Sequence, residues 1–260
     1  MNKIALITGT TSGIGYALCE KFASEKINLV LVSRNYENLI KQQEYLQQNY
    51  EIKAWIINQD LVLPEAAQIV YAKVREMGLD IDYLVNNAGF NEAGKFLDTD
   101  ISKEINMIQL HITFVTELTK LFLSDMAKRK SGKVLLIGST GSFIPCPMDA
   151  VYAATKAYTL FFSKAIMAEM KGTGVTITTI CPGATQTNFA LKAGIQDTLL
   201  FKMFVMKPEK VANAGYKSMM RGRTKHIPGL YSKLLVISSK IVPASIINFL
   251  TMVMLSKPPN

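Results

Sequence analysis

The chain has 260 residues, 49% of them hydrophobic, with 16 Gly and 9 Pro. That is long enough for one large hydrophobic core, and it excludes a low-complexity or collagen-like chain. The formal net charge is +9; no nucleic-acid motif accompanies it, so it reads as a solvated surface or one that attracts an anionic cofactor or membrane.

In chain order, short runs rich in Val, Ile and Leu alternate with longer helical patterns. The runs fall at 4–7, 28–32, 53–57, 83–85, 134–137 and 175–180, and their near-continuous apolar character is that of strands buried on both faces. Helical patterns lie between them, among others at 13–24, 36–48, 64–77 and along 101–130. Such alternation predicts right-handed crossovers and a parallel sheet with helices on both faces. No Pro/Gly/Ser-rich linker divides the chain, and no internal repeat is present. The expected architecture is therefore α/β: a Rossmann-type, doubly wound parallel sheet in a single domain over 1–260, ending in an apolar extension at about 230–260.

Cys19, Cys146 and Cys181 lack metal-ligand spacing, and their odd number argues for free thiols. His111 and His226 are too few for a His-based metal site, so no metal is expected. The N-terminus, MNKIALITG, enters a strand at once, without a long apolar run and a small-residue cleavage site. A cytoplasmic, non-secreted protein is expected.

The first strand runs into TGTTSGIG at 8–15. In this fold the first strand-to-helix turn lies at the carboxyl edge of the sheet. Glycines there let a ligand approach the backbone, and the next helix offers N–H groups and a partial positive charge suited to a pyrophosphate. The second strand ends at Ser33 and Arg34 rather than at an acid. An acid would repel a 2′-phosphate, whereas Arg pairs with it in a fork, so NADP(H) is expected over NAD(H). Arg34 as a plain surface residue is the competing reading. Residues 152–156 read YAATK, which places Tyr152 and Lys156 on one helix face. A nearby ammonium favours the phenolate, so such a Tyr is expected to exchange a proton near neutrality.

TGTTSGIG at 8–15, Asp60-Leu61, NNAG at 86–89, Ser139, YAATK at 152–156 and CPGATQT at 181–187 occur in the order of the classical short-chain dehydrogenase/reductase family, over almost the whole chain. Ser139 precedes Tyr152 by the interval that family uses. This resemblance implies an oxidoreductase interconverting a carbonyl and an alcohol. In it Tyr152 is the general acid, Lys156 lowers the phenol pKa and holds the nicotinamide ribose, and Ser139 binds the substrate oxygen. Gly9, Thr11, Ser12 and Ile14 surround the pyrophosphate and adenosine side, and Asp60 and Leu61 contact the adenine. Asn87 lies by the cofactor ribose and steadies the sheet; Thr185 and Thr187 meet the carboxamide and phosphate region. Homo-oligomers formed through long central helices are common in the family.

One position departs from the pattern. Where many members carry an Asn that holds a relay water, ungapped alignment puts His111. Three roles stand open: a substitute in the proton relay, a structural core histidine, or the mark of a chain that binds cofactor but turns over poorly. The segment from Asn188 to about Met206, rich in Phe, Leu and Met (Phe204 among them), would fold over the substrate or pack as an ordinary amphipathic helix. As a lid it favours a lipophilic ketone or aldehyde and a role in lipid metabolism. The apolar stretch 234–255 is interrupted by Lys240 and Pro243 and is too short after Lys240 for the ~20 residues of a bilayer span. It could pack on the body, enter a subunit interface, or lie on a membrane. A non-catalytic NADP(H)-binding sensor or scaffold is the alternative to a reductase. A lyase or epimerase with a separate substrate domain does not fit the chain length.

Overall fold

The computed structural model describes residues 3–203 and 205–256; Phe204 and the last four residues of the apolar extension lie outside that range. Strands and helices alternate as β1 (Ile4–Thr8), α1 (Gly13–Ser24), β2 (Asn28–Ser33), α2 (Tyr36–Tyr50), β3 (Ala54–Asn58), α3 (Ala66–Glu76) and β4 (Tyr83–Asn86). Then come α4 (Ile101–Ile108), a π-helical segment (Gln109–Phe114), α5 (Val115–Lys128) and β5 (Gly132–Ile137). A short 3-10 turn (Thr140–Ser142) leads to α6 (Ala150–Glu169), β6 (Val175–Ile180), α7 (Asn188–Lys192), α8 (Leu199–Met203) and α9 (Pro208–Met220). The chain continues through β7 (Lys225–His226), α10 (Leu230–Ser238) and α11 (Ala244–Leu255).

The seven strands form one sheet in the order β3-β2-β1-β4-β5-β6-β7, and every pairing is parallel. This is the doubly wound Rossmann-type α/β sheet that the alternation predicts. Its winding reverses between β1 and β4, where the carboxyl ends of the strands open a crevice.

Side-chain alternation along the strands feeds two cores. Ala5 and Ile7 of β1 pack with Phe22 of α1, Leu39 of α2 and Tyr216 of α9. Leu6 points to the other face and joins Val70 of α3, Phe122 of α5 and Leu136 of β5. Both faces are thus covered, which explains the continuous apolar runs.

Three details differ from the sequence pattern. The helix expected over 64–77 starts at Ala66, because Glu65 takes a left-handed conformation with φ +62°. The helix expected over 101–130 is interrupted by the π-helical turn, which carries His111. A seventh strand, β7, pairs with β6 through Thr179 and Ile180; its two polar residues form no apolar run to announce it.

Candidate active site

The β1–α1 turn is held tightly against the loop after β4. A Cβ on Gly15 would lie 2.1 Å from the Gly9 carbonyl oxygen and 2.4 Å from Asn87 Nδ2, so only glycine lets α1 start there. Asn87 donates from Nδ2 to the carbonyls of Thr8 (2.9 Å) and Gly9 (3.0 Å), fastening the two strand ends together. Ser12 stands at the N-cap of α1 without a side-chain cap bond. Its hydroxyl and the helix's positive end therefore remain available to an anion.

A cleft of about 330 Å³ runs across the carboxyl ends of the strands. It brings together Gly9, Thr11, Ser12, Ile14, Arg34, Asp60, Leu61, Asn87, Ser139, Tyr152, Lys156, Thr185 and Thr187. Of the site residues expected from the sequence, His111 is the one that does not line it. At the carboxyl end of β2 the Thr11 and Ser33 hydroxyls are 3.2 Å apart. Arg34 is 70% exposed, with a nitrogen 4.0 Å from Asp60 Oδ2; so long and wet a pair leaves the guanidinium free to engage another anion. The donor set fits a nicotinamide dinucleotide: a helix N-terminus for its pyrophosphate, hydroxyls and a guanidinium for its ribose end.

At the other end, local hydrogen bonds set up Ser139. Its Oγ accepts from Gly141 N–H at 3.1 Å, and its own N–H donates to Ser142 Oγ at 3.1 Å. With Oγ already accepting, its proton is free to point at an oxygen in the cleft. Lys156, one helical turn beyond Tyr152 on α6, is buried and donates to the Ile137 carbonyl at 3.0 Å. Its Nζ lies 5.5 Å from the centre of the Tyr152 ring. Burial lowers the Lys156 pKa to about 8.

The phenol itself differs from the expectation of an acidified tyrosine. Burial raises the Tyr152 pKa above its usual value, and the Asp149 carboxylate adds to the rise. A hydrogen bond with Ser139 works in the opposite direction without prevailing. The Lys156 ammonium, 5.5 Å from the ring centre, is not among the groups that shift it. Tyr152 is thus held as the neutral phenol in this geometry.

Asp149, the N-cap residue of α6, lies outside every motif that the sequence offers. It lines the cleft, is 9% exposed, and its Oδ1 has no hydrogen-bond partner among the described residues. Burial raises its pKa to about 7, offset in part by the Asn91 amide. The signal that could have found it is its spacing: an acid three residues before a tyrosine shares that tyrosine's helix face.

His111 sits behind Tyr152, 1% exposed, with ring centroids 5.9 Å apart in an edge-on arrangement. Its Nδ1 is 2.9 Å from Thr155 Oγ1, and its Nε2 accepts the Phe90 N–H at 3.3 Å. The Thr155 hydroxyl donates onward to the Tyr152 carbonyl at 2.8 Å, so its oxygen accepts and the imidazole proton belongs on Nδ1. Both nitrogens are engaged by protein groups, which leaves none free for the water that a relay role requires. Burial, and then the Lys156 charge, lower the His111 pKa well below its usual value, so the ring is neutral.

The segment after the Pro182-Gly183 turn lines the cleft. Thr187 caps α7 by accepting the Phe189 N–H at 3.3 Å, and the Phe189 ring lies 5.6 Å from that of Tyr152. Ile195, Leu200 and Phe201 also line the cleft, joined by Leu255 from the end of α11.

The short chain dehydrogenase family matches residues 3–197. Among curated proteins, the chain is 33% identical over 188 residues to very-long-chain 3-oxoacyl-CoA reductase-B of Danio rerio, covering 70% of this chain and 59% of that one. The chain thus spans about three fifths of the length of the curated relatives it matches. Among solved structures it resembles a short-chain dehydrogenase from Sphingobium yanoikuyae in complex with NADPH, with TM-score 0.82, 28% identity, and 92% and 93% of the two chains covered. A 7beta-hydroxysteroid dehydrogenase is similar with TM-score 0.86, 25% identity, and 96% of each chain covered.

Proposed function

The chain belongs to the short-chain dehydrogenase family, whose members bind a nicotinamide cofactor, and from that premise we propose that it is an NADP(H)-dependent reductase of a lipophilic ketone or aldehyde. The observation that carries this reading is the meeting of Ser139, Tyr152 and Lys156 in one cleft with the β1–α1 turn. A bound reduced nicotinamide supplies the hydride. The chain's residues orient the carbonyl and supply the proton.

In this reading the Ser139 hydroxyl donates to the substrate oxygen, fixing it beside Tyr152 and stabilising the negative charge that develops there. The Tyr152 phenol, protonated at neutral pH, passes its proton to that oxygen. Lys156, with a pKa of about 8, is mostly an ammonium at pH 7 and holds a ribose hydroxyl of the cofactor. A raised phenol pKa suits the reductive direction, which starts from the protonated acid. His111 takes the structural role among those left open: it fixes the packing behind Tyr152 and moves no proton.

The preference for NADP(H) is supported by Arg34 and by the two neutral hydroxyls of Thr11 and Ser33, where NAD(H) would call for an acid. Gly9, Ser12 and Ile14 hold the pyrophosphate side, Asp60 and Leu61 the adenine, and Asn87, Thr185 and Thr187 the nicotinamide half. A lipophilic substrate is supported by Phe189, Leu200, Phe201 and Leu255 around the cleft, and the relatedness to very-long-chain 3-oxoacyl-CoA reductases points to long acyl chains. The chain is also read as a homo-oligomer, supported by the outward Phe161 ring of α6, 69% exposed.

The test is NADPH and NADH oxidation against a panel of long-chain 3-oxoacyl thioesters, steroid ketones and aromatic aldehydes. Turnover with NADPH on an apolar member supports the reading. Cofactor binding without turnover on any member would favour the sensor or scaffold alternative.

A further inference from the structure

Helices α10 and α11 turn apolar side chains to the outside. On α10, Ser232 and Val236 are buried against the body, while Leu234, Ile237 and, just past the helix, Ile241 point outward, Ile241 being 81% exposed. The segment ASIINFLTMVML of α11 has no charged residue, yet Phe249, Leu250 and Val253 on its outer side are exposed, Phe249 by 61%. A helix that is apolar all round normally has both sides covered. Apolar side chains exposed in such number along two successive helices mark a contact surface.

The charge along this part of the chain names the occupant. After Glu209 the sequence has eight Lys or Arg and neither Asp nor Glu. Lys233 and Lys240, next to Leu234 and Ile241, are exposed. Apolar side chains whose charged neighbours along the sequence are all cations match the interface of an anionic bilayer, where the rings and branched chains enter the acyl boundary and the lysines meet phosphates. Two copies of the same face would bring like charges together. A span across the membrane is ruled out by length: α11 has 12 residues, about 18 Å of helix against a hydrocarbon core of ~30 Å, and among the described residues no helix is long and apolar enough to cross.

We propose that the outer face of α10 and α11 docks the protein on an anionic lipid surface, with α11 lying in the plane of the interface. Helix α11 also reaches the cleft. Leu255 ends α11 as a buried residue lining the cleft beside Leu200 and Phe201 of α8.

The test is flotation of the full chain with phosphatidylcholine vesicles, with and without phosphatidylglycerol, in the absence of cofactor and carbonyl. It is therefore blind to whether the reductase reading holds. The expected result is binding roughly tenfold or more stronger to the anionic vesicles, released by salt. Both the triple variant Leu234→Gln, Ile237→Gln, Ile241→Gln and the charge variant Lys233→Glu, Lys240→Glu should lose binding at an unchanged melting temperature. Because the charge variant removes no apolar side chain, it remains informative if the triple variant fails to fold. Equal binding to both vesicle types, no binding by the wild type, or retained binding by the folded charge variant would overturn the proposal. So would light scattering that shows a concentration-dependent dimer abolished by the charge variant, since the face would then be occupied by a second copy.

Discussion

Across 2.9 Å, His111 Nδ1 meets the Thr155 hydroxyl, and Thr155 hands the contact on to the Tyr152 carbonyl at 2.8 Å. The π-helical turn and α6 are thus tied together one turn from the phenol. The residue that takes the place of a relay Asn is committed on both nitrogens, Nδ1 to the helix that carries the acid and Nε2 to the Phe90 N–H of the loop after β4.

His111→Ala should therefore cost about 1–3 kcal/mol of stability, the penalty for leaving buried donors and acceptors unpaired, and should lower kcat through a displaced Tyr152. Because the imidazole is neutral, the wild-type pH–rate profile should contain no limb near pH 6.5 that His111→Asn removes. Rate profiles of the two proteins from pH 5.5 to 8 check this; a limb present in the wild type and absent in the variant contradicts it.

Gly89 makes room for that imidazole. A Cβ there would come within 2.8 Å of His111 Nε2, so Gly89→Ala should destabilise the protein by about 1–3 kcal/mol as an overpacked core does. The same substitution in a His111→Asn background should cost less. Thermal unfolding of the four proteins of the cycle reads the difference.

Asp149 adds to the rise that burial imposes on the Tyr152 phenol. Asp149→Asn removes the carboxylate that raises the Tyr152 pKa. The alcohol-oxidation reaction, which needs the phenolate, should then reach its plateau at lower pH than in the wild type. Stability carries a second signature. The Asp149 pKa in the folded protein is about 7 against a reference of 3.8, so its contribution is present below pH 3.8 and is lost as pH rises through about 7. In Asp149→Asn the unfolding free energy should fall less steeply across that window.

Arg34→Ala should raise the KM for NADPH roughly 10–100-fold, the value of a hydrogen bond to a charged group, and leave the KM for NADH nearly unchanged. An equal loss with both cofactors would place Arg34 outside the 2′-phosphate site.

Much of this is legible in the residues themselves. Continuous apolar runs such as Leu29–Val32 announce strands buried on two faces, and TGTTSGIG and YAATK place the two halves of the cleft. What escapes depends on packing rather than on pattern. Lys225 and His226 become a strand only because β6 offers an edge. Asp149 and Tyr152 share a face in any helix, but that the carboxylate is buried with the Asn91 amide beside it follows from the tertiary packing. The expected acidification of Tyr152 fails for a related reason: the spacing of Tyr and Lys says nothing of how much water the fold removes. The π turn at His111 likewise has no signature in a helical period.

The account rests on Tyr152 as the proton donor, and the most direct measurement compares wild type with Tyr152→Phe for NADPH oxidation on a long-chain carbonyl, alongside NADPH affinity. The account predicts a loss of at least about 100-fold in kcat at unchanged NADPH affinity. A Tyr152→Phe protein that turns over within a few-fold of the wild type would contradict it.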